Sequence, residues 1–207
     1  MKVYTGNYDN CDVPEAISIS GNAGKSIGFR GPHIRELAPK RSWWQVWHDQ
    51  IGVLSEEENL RFYVESYYET VLKPLDPGEI LMKLKEGSIL LCYEEPEDFC
   101  HRHIVAAWLE LFYGIEVREV KVLEDGNIKV LPRNKYYSTI KTMLEILIKD
   151  TMDMHGYTAI SASYAYEQAK EVAKNPELCN EFGVSEAMYM RLAEVLENMH
   201  GEQSKKK

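Results

Sequence analysis

The sequence predicts an α/β fold: a compact, mostly parallel sheet flanked by helices, followed by an all-α C-terminal extension. Three observations carry this. The apolar run Ile89-Leu90-Leu91-Cys92-Tyr93 lies between Gly87 and Pro96, too short for a helix and suited to a buried strand. Phe99 to Tyr113 holds no Gly or Pro and is apolar on most sides (Ile104, Val105, Trp108, Leu109, Leu111, Phe112), as expected of a helix laid against a sheet. Beyond Pro132 and Arg133 nearly everything reads helical. The expected division is an α/β domain over 1–131 and a helical extension over 132–207.

Taken in order, Val3-Tyr4-Thr5 and Ala16 to Ser20 read as strands. The loop Gly21-Asn22-Ala23-Gly24-Lys25-Ser26 looks like a phosphate-binding Walker loop, but the first glycine of that motif would fall at Ile19, and Gly28, Gly31 and Pro32 break any following helix. An NTPase is therefore rejected; a Gly-rich loop at a strand end remains. Ser55 and Glu58 form a capping box that opens a helix to about Lys73, stopped by Pro74. Asp76 and Pro77 start another, which Gly87 ends. After the central strand and helix, Glu116 to Leu123 alternates as a strand, Asp125-Gly126-Asn127 turns, and Ile128 to Leu131 returns as an edge strand. Helices follow over 138–154, 158–174, 177–182 and 185–199, with a polar tail from Gly201 to Lys207.

At 207 residues the chain can bury a proper core. No apolar stretch approaches membrane-spanning length, so no membrane partner is expected. The N-terminal stretch does not read as a signal peptide, because Tyr4, Asn7, Asp9, Asn10 and Asp12 interrupt any apolar core. Cys11, Cys92, Cys100 and Cys179 are sparse and irregularly spaced, which fits a reducing cytoplasm and not a disulfide framework. The net charge of −9 falls within residues 1–125 and argues against unspecific nucleic-acid binding. Residues 24 to 48 depart from it. Lys25, Arg30, Arg35, Lys40 and Arg41 face one acid, Glu36, and Trp43, Trp44, Trp47 and His48 follow. Basic and aromatic side chains so interleaved can hold a phosphate backbone and stack bases. Trp43 and Trp47, four apart, serve equally as core anchors of a short helix.

The candidate site is the turn from the central strand into the central helix. Asp98 reads as the helix N-cap, which puts Cys100, His101 and Arg102 in the first turn, where backbone N–H groups attract anions. Cys92 ends the preceding strand, with Glu94 just beyond it, and open α/β sheets bind ligands at this carboxyl edge. Each residue alone also has a plain reading: a small buried Cys, or a His or Arg paired with Glu94, Glu95, Glu97 or Asp98.

Leu90-Leu91-Cys92-Tyr93-Glu94, Pro96, and Asp98-Phe99-Cys100-His101-Arg102-His103 resemble the signature of the family catalogued as domain of unknown function 488. The opening Val3-Tyr4-Thr5, the Ile17 to Ser20 strand, Leu37-Ala38-Pro39 and Leu75-Asp76-Pro77 fit the same family, so the resemblance spans residues 1 to about 123. It implies a compact α/β domain, with the motif carried by Cys92, Glu94, Asp98, Cys100, His101 and Arg102. It implies no reaction, and it does not reach the helical extension.

Three chemistries suit these residue types. A cysteine phosphatase needs Arg six positions after its Cys; Asp98 and Ala106 stand there, which excludes it. A metal site could draw on Cys92, Cys100, His101 and His103, but the two histidines are two apart on a helix and point to different sides, so no metal is assigned. The third, and the expectation adopted, is an enzyme acting on a phosphate-bearing substrate, a nucleotide or single-stranded nucleic acid. Cys92 or Cys100 would be the nucleophile, His101 the proton carrier, and Glu94 and Asp98 orienting partners. Arg102, Arg30, Arg35, Trp43 and Trp47 would bind the substrate. The sequence names no cofactor. The competing class is a non-enzymatic DNA-binding or protein-interaction module: Leu178 to Ser185 resembles the turn of a helix-turn-helix, against which stand Tyr189 and the acids Glu186, Glu194 and Glu197. A helical extension packed on the first domain, or forming a homodimer with a second copy of the chain, is the simpler reading.

Overall fold

The computed structural model describes residues 2–154. The helices expected over 158–174, 177–182 and 185–199, the helix-turn-helix resemblance and the polar tail lie outside the described residues. The described chain forms a five-stranded sheet in the order β2-β3-β1-β4-β5. β1 (Val3–Asn7) pairs in parallel with β3 (Ile89–Cys92) and with β4 (Val117–Val122), and β2 (Ala16–Ser18) pairs in parallel with β3. Only β5 (Ile128–Val130) runs antiparallel, as the tight Asp125-Gly126-Asn127 turn requires. The α/β, mostly parallel expectation therefore holds. So does the inference that a helical connection makes β2 and β3 parallel.

The helices are α1 (Arg41–Asp49), α2 (Glu56–Tyr67), α3 (Pro77–Met82), α4 (His101–Tyr113) and α5 (Tyr137–Met154). Ser55 and Glu58 form the expected reciprocal capping box at the start of α2, and a π turn over Tyr68–Leu72 extends that helix. Asp76 accepts from Gly78 N at 2.7 Å and caps α3, which ends earlier than expected. Gly24, in the left-handed region, sits where a Cβ would meet Phe29 Cβ at 2.6 Å, so the loop after β2 needs glycine there.

The chain divides into two compact units. One comprises Met1–Leu111 and Ile115–Ile148; the other comprises Phe112–Gly114 and the residues from Lys149 onward. The first unit holds the sheet. Leu90, Leu91, Ile104, Val105, Ala107, Trp108, Leu109, Ile140 and Leu144 are all buried in it. Among the described residues no helix is long and apolar enough to cross a membrane.

One buried ion pair ties α4 to two strands. Arg102 is fully buried, and its Nε donates to Glu119 Oε1 at 3.0 Å and Oε2 at 3.2 Å. Thr5 Oγ1 in β1 donates to Glu119 Oε2 at 2.6 Å, and His103 Nε2 lies 3.6 Å from the same oxygen. Burial alone would raise the Glu119 carboxyl. His103 and Arg102 beside it outweigh that and hold it below the usual range. Its stabilising contribution is therefore complete above the ordinary carboxylate pKa and is lost as pH falls through the depressed one. Removing one partner of such a pair strands the other charge. Arg102→Met is expected to cost about 3–5 kcal/mol of stability at neutral pH. Urea denaturation measures this, and a loss below about 1 kcal/mol would show that the pair does not hold α4 in place.

Candidate functional site

α4 begins at His101, two residues later than the sequence suggests, so Cys100 precedes the helix and is not in its first turn. The cause is long-range. Asn134 Nδ2 donates to the carbonyls of Pro96 at 2.8 Å and Asp98 at 3.0 Å, which holds residues 96–98 in a turn. Asp98 itself is exposed.

Three side chains converge: Cys92 from the end of β3, Cys100 from the loop before α4, and His101 from the first residue of α4. His101 Nδ1 lies 3.7 Å from Cys92 Sγ and 3.7 Å from Cys100 Sγ. His101 Nε2 is 3.0 Å from the carbonyl oxygen of Ile19, just past β2. A carbonyl only accepts, so Nε2 carries the proton and donates; Nδ1 then offers its lone pair to the sulfurs. Tyr67 lies against the imidazole with ring centroids 5.6 Å apart. His103 points elsewhere, toward Glu119, as two-residue spacing on a helix demands.

Glu94 completes the group. Its chain is partly open to solvent, but Oε2 turns inward and accepts from Cys100 Sγ at 2.8 Å. Burial of that carboxylate, then the neighbouring Cys100, raise its pKa to about 7. Burial would likewise push the Cys100 thiol up. The hydrogen bond from Cys92 and the positive charges of Arg102 and His101 prevail, and hold it well below the ordinary thiol value. Cys92 moves the other way: burial and the adjacent Cys100 keep it a thiol. Burial disfavours charge on His101, but the Cys100 thiolate raises its pKa. Within the set the directions differ: the Cys100 thiol is pulled down, while Cys92, Glu94 and His101 are pushed up.

These groups line a pocket of about 600 Å³. Ser20, Gly21 and Asn22 form one side, so the Gly-rich loop borders the site as expected. Tyr93 OH, which donates to Asn22 Oδ1 at 2.5 Å, ties that loop to the strand end. Trp44, Trp47, Tyr63, Tyr93 and Phe99 supply aromatic walls, and Arg41 stands at the lining with an exposed side chain.

Of the residues expected in the site, Cys92, Cys100, His101, Glu94 and Trp47 meet at this pocket, and Trp43, Arg30, Arg35, Arg102 and Asp98 do not line it. Trp43 is a core residue whose Nε1 donates to Thr70 Oγ1 at 2.8 Å. Arg30 and Arg35 are exposed elsewhere on the surface. Arg102 does not line the pocket: Nε donates to Glu119, Nη2 donates to Glu95 O at 3.0 Å, and Nη1 lies 4.0 Å from Glu94 Oε2. The sequence reading did not single out Arg41, Trp44, Tyr63, Tyr93 or Phe99. Arg41 and Trp44 lay in the basic and aromatic run, but four-residue spacing drew attention to Trp43 and Trp47.

Residues 25–111 match the family model described as the active DUF488-N3 subclade. The match is consistent with a DUF488 family segment over these residues. No curated protein and no solved structure matches the chain. The matched segment contains α1 to β3 and most of α4, and with them Arg41, both cysteines of the cluster, Glu94 and His101.

A low thiol pKa has a direct readout. In a Cys11→Ser/Cys179→Ser variant held in chelator-containing buffer, iodoacetamide should label Cys100 ahead of Cys92. The pH midpoint should lie below the roughly 8.5 of a free thiol. Peptide mass spectrometry locates the label; a midpoint at or above the free-thiol value contradicts the electrostatics described here.

Proposed function

We propose that the chain is an enzyme acting on a phosphate-bearing substrate, a nucleotide or single-stranded nucleic acid, with Cys92, Cys100 and His101 as its reaction centre. The observation that carries this is the convergence of an activated thiol and a tautomer-fixed imidazole on an aromatic-walled pocket. A planar base fits between rings such as Trp44, Trp47 and Phe99, because every base presents a π face. The anion falls to Arg41 and the N–H groups of the Gly21-Asn22 loop, while Arg102 keeps the site in place. The word "active" in the description of the matched subclade accords with catalysis. Positive charge focused at Arg41 has a physical use, since the protein's net charge of −9 repels an anionic ligand. The buried free thiols Cys11, Cys92 and Cys100 accord with a reducing cytoplasm.

Titrating the intrinsic tryptophan fluorescence with adenosine monophosphate and with a short single-stranded DNA tests the reading. Binding is expected at low salt and should weaken as salt rises. Arg41→Ala should weaken both ligands about tenfold or more, the worth of a charged hydrogen bond. Trp44→Ala should cost about 1–3 kcal/mol, the worth of one stacked base. No binding by the wild-type protein at low salt would refute the substrate class.

A further inference from the structure

The geometry points to a zinc-type divalent ion bound by Cys92 Sγ, Cys100 Sγ and His101 Nδ1, with its fourth position open to the pocket. The proposal deepens the reading of this cluster as a reaction centre and rests on it, in that the ion would be its cofactor. Local spacing disfavours the idea when His101 is paired with His103. The fold pairs His101 with Cys92 instead, nine residues earlier at the end of β3, and leaves His103 with Glu119.

The three donor atoms lie within 4.8 Å of one another. Tetrahedral zinc, with bonds of about 2.3 Å to sulfur and about 2.0–2.1 Å to nitrogen, sets its nitrogen and sulfur ligands about 3.6 Å apart. His101 Nδ1 stands 3.7 Å from each sulfur, which already matches, and the two sulfurs, within 4.8 Å of each other, would settle about 3.8 Å apart. The hydrogen bond from Nε2 to Ile19 O is the outer support that metal-bound histidines commonly have: it fixes the ring and leaves Nδ1 unprotonated. Charge balances as well. Two thiolates neutralise a divalent ion, and the thiol protons pass to solvent on binding. Soft thiolate and imidazole donors favour zinc over magnesium or calcium. Two Cys and one His leave a coordination position, and all three ligands line the pocket, so a substrate or water can reach it.

Cobalt(II), added alone to the reduced, chelator-treated full-length protein, tests this. One equivalent should bind, giving a thiolate-to-cobalt charge-transfer band in the near ultraviolet and the intense visible bands of a four-coordinate ion. Zinc should displace it. Cys92→Ser and His101→Gln should each weaken binding at least tenfold, while Cys11→Ser, which removes a thiol outside the cluster, should leave it unchanged. Because a cluster variant could fail to fold, zinc protection of Cys100 against iodoacetamide in the wild-type protein gives a second readout. Absence of the charge-transfer band, or a band that survives Cys92→Ser intact, overturns the inference, as does labelling of Cys100 that zinc does not slow. These outcomes are separable from nucleotide binding. A protein that binds nucleotide but no cobalt keeps its proposed substrate class and loses the metal; one that binds cobalt but no nucleotide does the reverse.

Discussion

The buried pairing of Arg102 with Glu119 is the constraint on which the rest of the site depends. It joins α4 to β4, and Thr5 extends the join to β1. Arg102 Nη2 then reaches Glu95 O and fixes the loop between β3 and α4. The same loop is held from its other side, where Asn7 Nδ2 donates to Glu95 Oε2 at 3.1 Å. With Glu95 held through both its backbone and its side chain, Cys100 and His101 have little choice of position relative to Cys92. Two isolated charges would be costly in this interior; paired and hydrogen-bonded, they act as a registration device. Arg102 also acts at a distance. Its positive charge helps pull the Cys100 thiol pKa down.

The sheet accounts for where the site lies. β2 and β3 are parallel, so their carboxyl ends fall on one edge, and Ile19 and Cys92 arrive there together. Ile19 N donates to Leu91 O at 3.0 Å, continuing the ladder one residue past β2. Ile19's own carbonyl then remains for His101. An irregular loop alone would not offer this carbonyl so firmly. A backbone acceptor at the end of a paired strand is rigid, and that rigidity sets the imidazole's tautomer.

Much of this was legible in the sequence because it was local. The apolar run at Ile89, the capping box at Ser55 and the apolar stretch after Cys100 each specify their element within a few residues. The site's location followed from the strand-to-helix order and the signature residues. The roles of individual side chains depended on distant partners. Nothing near Arg102 shows that it pairs with Glu119, because four closer acids compete for it in sequence. A signal existed: Glu119 shares strand parity with Val117, and Thr5 with Val3, so both polar groups point where apolar neighbours are buried. Asn134, which delays the start of α4, left no comparable mark. His101 was weighed against its sequence neighbour His103, whereas the fold set it against Cys92 and Ile19.

The fold presents the Nδ1 lone pair of His101 to two sulfurs by holding Nε2–H on a backbone carbonyl. Both uses of the cluster need that arrangement, whether Nδ1 takes a proton from a thiol or binds an ion. Long-range nitrogen–proton NMR of the histidine side chains, assigned with a His101→Gln variant, observes the tautomer directly. The neutral His101 ring should carry its proton on Nε2. A neutral ring protonated on Nδ1 would contradict it.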